Sequence, residues 1–465
     1  MTGEERMKLR LLPLSLLLLL LASLSACSYD MEIRGVQMQP YVPAPLPQLF
    51  DEAMATPRHD GVLLAGAQML DITPYDRKAW LAGFGPGRKS RGVLDPVYAH
   101  ILYLNDGRNA TVLIALDIVG IMNPDVNRLR SLITAKYPHN IQVIATHNHQ
   151  GPDTIGYWGP GLLIPVDRGV DQDWFDKTMQ AIALSVNDAI RTAQPARLAF
   201  GDAMVDPRWS SNLWFDHDQG PKDDQLGVLR VETFDGKALA TVINWACHAE
   251  SLLHNNKISA DFPGRFYKHC AAKGGGVGIF LANASGGMVT AYPCRWEQRK
   301  HYDLEKRIAW ADQLGEYLYD TAAASVRDVP RVSGAKINLK HSSLAVPMRN
   351  PLFRVAADNG IIRTDDRGHD RKQFNTELNV LDLGPCTFAF VPGEPFPSLG
   401  KILKDAMPRS KPPFVVTLAN DELAYMMTEE EWNDSHYRYE RSMSCGREAG
   451  PLVTEALVAL IKKGR

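Results

Sequence analysis

Ile141-Gln142-Val143-Ile144-Ala145-Thr146-His147-Asn148-His149-Gln150-Gly151-Pro152 passes from a core element to reactive side chains within twelve positions. The apolar, β-branched character of Ile141–Thr146 predicts a strand buried on both faces. Two histidines at i and i+2 beyond a strand project to one side, and Gly151-Pro152 turns the chain away and leaves them in a cleft. Neutral imidazole is a common zinc donor. A His-x-His pair alone is more often a surface or core pair, so a metal reading needs further donors.

Similar short apolar runs flank this one: Thr111–Val119, Arg197–Phe200, Leu229–Thr233, Leu239–Trp245 and Val277–Leu281. Between them, helical patterns cover Asn123–Lys136, Asp171–Ala193, Pro263–Ala272, Tyr302–Ser325, Pro397–Ala406 and Pro451–Lys463. This alternation predicts an α/β fold, with mixed, largely buried β-sheets flanked by helices in one large domain over residues 61–465. The polar stretch Asp358–Gln373 reads as a surface excursion, with a lid beside a cleft as the other reading.

Lys8 and Arg10 precede the apolar run Leu11–Leu24, which is the pattern of a signal peptide over residues 1–26. The run is short for a membrane span, which needs roughly 20 residues. It ends in Leu24-Ser25-Ala26-Cys27, which resembles a bacterial lipobox. Cleavage there would leave a lipidated Cys27 as membrane anchor. Ser28 in the next position resembles the sorting signal for outer-membrane retention, facing the periplasm. Residues 27–60, rich in Pro, Gln and Met, read as a linker before folding begins at Gly61. An oxidising compartment would allow Cys247, Cys270, Cys294, Cys386 and Cys445 to pair. The 51 basic and 53 acidic side chains nearly cancel, which argues against a nucleic-acid partner.

Three more donors follow apolar runs. His248 comes after Leu239–Trp245, where α/β folds build sites beyond strand ends. Glu394 follows Phe388–Val391, and a carboxylate at a buried edge needs a partner, which a cation supplies. Tyr425 lies in Asn420-Asp421-Glu422-Leu423-Ala424-Tyr425-Met426-Met427-Thr428, before Glu429-Glu430-Glu431-Trp432 and His436-Tyr437. Singly, each is equally a core histidine, a surface acid or a core aromatic.

In this order the segments resemble the neutral ceramidase family. The resemblance runs from about Gly61 to Glu440 and includes Gly66-Ala67-Gln68-Met69-Leu70-Asp71-Ile72-Thr73-Pro74 and Gly92-Val93-Leu94-Asp95-Pro96-Val97-Tyr98-Ala99. Its most specific pieces are Thr146-His147-Asn148-His149-Gln150-Gly151-Pro152 and Val391-Pro392-Gly393-Glu394. It implies one Zn2+ per chain held by His147, His248, Glu394 and Tyr425, acidifying a water toward pKa ~7 for attack on an amide carbonyl. It further implies catalytic parts for His149 and Thr290 and substrate contacts for Arg208 and Tyr437. The implied substrate is ceramide or another N-acyl lipid or amide.

The chain departs from the family at Gly286-Gly287-Met288-Val289-Thr290-Ala291-Tyr292, where Met288 stands in place of an aspartate and Thr290 in place of a serine. It ends near Arg465, which leaves no room for the family's C-terminal immunoglobulin-like domain. There is no GxSxG elbow, no HExxH and no phosphate-binding GxxxxGK[ST]. Two other readings stay open: an amidase of the same fold with a different amide substrate, and a non-catalytic lipoprotein that binds a lipid or envelope ligand in the cleft.

Overall fold

The structure is a computed structural model; it describes residues 49–55, 61–161, 165–215, 220–291, 303–364, 372–407 and 412–463. The proposed signal peptide, Cys27, Cys294 and the centre of the Asp358–Gln373 stretch lie outside these residues. Contacts group Ala44–Arg465 into one body.

Strands β1 (Leu63–Asp71), β2 (Tyr98–Asn105), β3 (Ala110–Leu116), β4 (Ile141–Ala145) and β5 (Gln194–Met204) come first, then the short β6 (Ser211–Asn212). β7 (Gln225–Thr233), β8 (Ala238–Trp245), β9 (Val277–Ala282) and the short β10 (Val289–Thr290) follow. Eight of these form one mixed sheet in the order β4-β3-β2-β1-β5-β7-β8-β9. Its middle is antiparallel, while β3–β4 and β8–β9 at its two ends are parallel pairs. Each parallel pair is closed by a helix, Asn123–Ile133 for the first and Asp261–Ala272 for the second. β3 and β4 are buried at every position, as expected for strands covered on both faces.

β4 and β8 stand six strand spacings apart, about 29 Å in a flat sheet. The sheet instead curls until β4 comes close to β9. The segment Thr417–Asn420 fills the remaining gap: Thr417 N–H bonds Ala282 O at 3.0 Å, Ala145 N–H bonds Leu418 O at 3.0 Å, and Asn420 N–H bonds Val143 O at 2.7 Å. The carboxyl ends of both parallel pairs are thereby brought to one place.

A second sheet, in the order β11 (Ile337–Pro347), β12 (Gln373–Leu383), β13 (Cys386–Phe390), β15 (Phe414–Val416), packs against the inside of the first. Alternation along its strands serves two cores. Leu381, Leu383, Phe388 and Phe390 face the eight-stranded sheet, and Leu378, Val380, Ala389 and Val391 face helices Pro351–Asp358, Pro397–Ala406 and Ala449–Lys462. Between β13 and β15, Phe388 and Phe414 stack at 4.1 Å. Helices Gln172–Arg191 and Leu304–Ser325 cover the outer face of the first sheet. The remaining pair, β14 (Glu394–Pro395) and β16 (Tyr425–Met426), is parallel with Glu394 opposite Tyr425.

The expected α/β layering is thus present, with two corrections. Folding does not wait for Gly61: helix Leu49–Ala55 buries Phe50 edge-on to Tyr103 at 6.5 Å, and its Asp51 accepts from the Thr134 hydroxyl. The Pro-rich composition around this helix masked about two turns of amphipathic sequence. Cys247, Cys270, Cys386 and Cys445 are buried and form no disulfide among the described residues. No helix among the described residues is long and apolar enough to cross a membrane.

Candidate metal centre

β4 ends at Ala145, so the alternation expected to align His147 and His149 stops before it reaches them. His147 adopts a left-handed backbone, φ 59°, a conformation that costs a non-glycine residue about 1 kcal/mol or more and clusters at functional sites. That turn re-aims the ring, and the two imidazoles meet edge to face at 4.7 Å. His147 Nδ1 donates to Val119 O at 2.8 Å, just beyond β3. Past β8, His248 Nδ1 donates to Val289 O at 2.8 Å. A carbonyl can only accept, so both rings carry their proton on Nδ1 and present a bare Nε2.

Both bare nitrogens aim at one atom. Glu394 Oε2 lies 3.1 Å from His147 Nε2 and 3.3 Å from His248 Nε2. Neither approach has hydrogen-bond geometry, so Glu394 Oε2 and His248 Nε2 are buried without a hydrogen-bond partner. Burial pushes the Glu394 carboxyl up, but positive charge on the side of His147 and His248 outweighs it and holds it below the usual carboxylate range. Three electron-pair donors that converge in a buried site repel one another until a cation lies between them. Backbone carbonyls that accept from the far ring N–H are the usual support of metal-binding histidines. The residues therefore fit a zinc ion.

Glu394 is delivered by a close backbone crossing. Glu394 N–H bonds Ala424 O at 3.0 Å, and a Cβ on Gly393 would stand 2.9 Å from that same oxygen. Gly393 at φ 148° is the residue that permits this approach. Tyr425, opposite Glu394, is buried and held neutral by burial and by the Glu394 charge; its hydroxyl donates to Met288 Sδ at 3.7 Å.

The centre opens into a cavity whose empty volume, mouth included, is about 680 Å³. Its polar end is made by His147, His149, Glu394, Glu422, Tyr425 and Tyr439, and its walls by Val119, Met122, Ile155, Trp158, Phe353 and Ile362. Ile362, near the start of the Asp358–Gln373 stretch, lines the cavity. His149 lies edge-on to Phe84 at 5.2 Å with Nδ1 3.3 Å from Glu250. Burial pushes its pKa down to about 4, so it is neutral near pH 7.

Thr290 bridges His248 through its backbone, and its hydroxyl is buried without a hydrogen-bond partner. Tyr437 is buried against Phe396 at 4.8 Å and does not line the cavity. Arg208 stands elsewhere: 67% exposed, it stacks over Trp209 at 5.0 Å and lines a separate depression with Trp310 and Glu316. Its flanking residues resemble a substrate-contact motif, yet the short helical turn Pro207–Trp209 sends it away from the histidines. Three site residues were not singled out from the sequence: Glu250, Glu422 and Tyr439. Glu422 bonds the Ala424 amide through Oε1 at 2.8 Å, and burial, with the Glu394 charge added, pushes its carboxyl well above the usual range. His-x-Glu at His248 and Glu250 was the one signal available for the first of these.

The sequence matches no family model and no curated protein. Solved structures do match. A neutral ceramidase from Pseudomonas aeruginosa superposes with a TM-score of 0.69 at 16% identity over 87% of this chain and 74% of that one. A ceramidase complexed with C2 superposes with a TM-score of 0.67 at 16% identity over 86% and 75%. The chain has the fold of the neutral ceramidases.

Proposed function

We propose that this protein is a zinc-dependent hydrolase of the neutral ceramidase type that cleaves the amide bond of ceramide or a related N-acyl lipid. The observation that carries the reading is the convergence of two carbonyl-locked histidines on the unpartnered oxygen of Glu394, at the polar end of an apolar-walled cavity. The shared fold supports it. His147, His248, Glu394 and Tyr425 would hold the ion, which when bound acidifies water and polarises a carbonyl.

The chain's own residues supply the rest. The apolar walls take an acyl chain and exclude bulk water, which strengthens every polar contact at the closed end. Neutral His149, whose Nε2 has no hydrogen-bond partner, is the base within the cavity for the attacking water. Water oxygen adds to the acyl carbon, the C–N bond breaks, and the water proton ends on the departing amine. The products are a fatty acid and an amine. Thr290, tied to the His248 backbone, is a positioning residue. We extend the proposal to an exported lipoprotein anchored through Cys27 on the periplasmic side of the outer membrane.

The engagement of the Tyr425 hydroxyl by Met288 favours one second reading, a ligand-binding protein that no longer turns over. One experiment separates the two. A form lacking residues up to Cys27 is assayed for bound zinc and for hydrolysis of a panel of N-acyl lipids, with and without chelator, beside His147→Ala and Glu394→Ala. Bound zinc with no product favours the binding protein. Activity indifferent to chelation overturns the mechanism, and full metal content in both variants overturns the donor set.

A further inference from the structure

A second group of donors lies away from the cavity, where the four-stranded sheet meets the edge of the eight-stranded one. His139, in the helical turn Pro138–Asn140 that leads into β4, stacks on His341 of β11 with ring centres 3.6 Å apart and planes 23° from parallel. Glu377 of β12 reaches both, and one donor atom from each residue falls within 4.8 Å of the other two.

The surroundings orient each donor. Glu377 Oε1 accepts from Arg130 Nη2 at 2.6 Å and from Asn379 Nδ2 at 2.9 Å, while Arg130 is itself fixed by Ile141 O at 2.7 Å. Its Oε2 accepts from His139 Nδ1 at 3.2 Å, so that nitrogen carries a proton that an ion would displace. Because Asn379 gives its NH2 to Glu377, its oxygen faces His341 Nδ1 at 3.3 Å, and an oxygen there requires the proton on that nitrogen. His341 therefore keeps Nε2 as a lone pair. His139 is about half exposed, so the group is reached from solvent.

We propose that His139, His341 and Glu377 form a second metal site, for a divalent transition ion, distinct from the cavity centre. Two imidazoles and one carboxylate suit zinc, nickel or copper and are a poor set for calcium or magnesium. Solvent completes the shell on the exposed side. The Arg130 charge beside Glu377 makes this the weaker of the two sites. Its role is structural: it clamps β11 and β12 to the turn that starts β4, the strand whose far end delivers His147.

The test counts metal. The protein lacking residues up to Cys27 is loaded with Zn2+, passed through a desalting column and analysed for zinc per chain, with thermal unfolding followed with and without Zn2+. Two ions per chain are expected in the parent, and one in His341→Ala, in His139→Ala and in His147→Ala. A zinc-dependent rise in Tm is expected to persist in His147→Ala and to vanish when His341→Ala is added. Zinc content and zinc-dependent Tm unchanged by both His341→Ala and His139→Ala would overturn the site. Loss of metal in His341→Ala with no loss in His147→Ala would sustain it while contradicting the cavity centre.

Discussion

The hydroxyl of Tyr425 donates to the sulfur of Met288 at 3.7 Å, so the side chain standing where the family resemblance has an aspartate still faces the proposed tyrosine donor. Met288 sits at φ 62°, which asparagine and aspartate tolerate better than methionine. Met288→Asn should therefore fold with a stability within about 1 kcal/mol of the parent, relief of the backbone offsetting lost apolar contact. Met288→Asp adds a negative charge beside the donors and should tighten zinc retention by up to about tenfold. Chelator competition and urea unfolding measure the two effects, and weaker zinc binding in Met288→Asp would contradict the placement.

A glycine pair isolates the contribution of His149. A Cβ on Gly83 would stand 2.6 Å from Cβ and Cγ of His149, whereas one on Gly85 meets nothing within 4 Å. Both glycines have positive φ, so both alanine variants carry similar backbone strain, about 1 kcal/mol. Gly83→Ala should lower kcat/KM by about tenfold or more with zinc content intact, since it moves His149 and none of the proposed ligands. Gly85→Ala should leave kcat/KM within about twofold. Equal losses in the two would show that strain, not His149, sets the rate.

Much of this arrangement was legible where burial is complete. β4, β8 and β9 are mostly apolar and were located within one residue at each end, because only covered strands tolerate such runs. β11 was not, since most of its residues are partly exposed and its polar stretch Lys340-His341-Ser342-Ser343 breaks any apolar run. The curl of the sheet was also invisible, because it depends on the Thr417–Asn420 segment lying between β4 and β9. His147, His248 and Glu394 were found from their family order and do converge, and Tyr425 stands opposite Glu394 across β14 and β16. Arg208 shows the limit of that method: a matching local motif carries no direction, and here the turn after Asp206 points it outward.

Asp421 gives a pH signature. Burial raises its carboxyl to about 6, above the value near 3.9 expected in the unfolded chain. The unfolded state loses that proton first, so the native state is fully favoured below about pH 4 and loses stability as pH climbs through 6. Asp421→Asn keeps an oxygen for the Asn123 and Glu422 amides, at 3.0 and 2.9 Å, and removes the charge. Relative to the parent it should gain about 2 kcal/mol between pH 4 and pH 8. Urea midpoints at the two pH values report this; a constant difference would place the titration elsewhere.

Thiol chemistry tests the packing. Burial pushes Cys270, Cys386 and Cys445 up to about 12, and Cys247 upward as well. The thiolate is the reactive form, so these four should resist a disulfide reagent at pH 8 in the native protein and react fully in urea. Peptide mapping of labelled protein reads out each position. Rapid native labelling of any of the four would mean that its element opens locally.

The Glu394–Tyr425 pairing across β14 and β16 closes a donor set whose first member stands at position 147 and last at position 425. The proposed coordination shell would therefore be a non-local product of more than half of the polypeptide, of the kind that forms last when long loops must close first. A chain whose residues beyond position 425 have yet to emerge holds no complete set. On the proposed export and zinc dependence, loading of the ion would follow folding in the destination compartment and would draw on the zinc supply there.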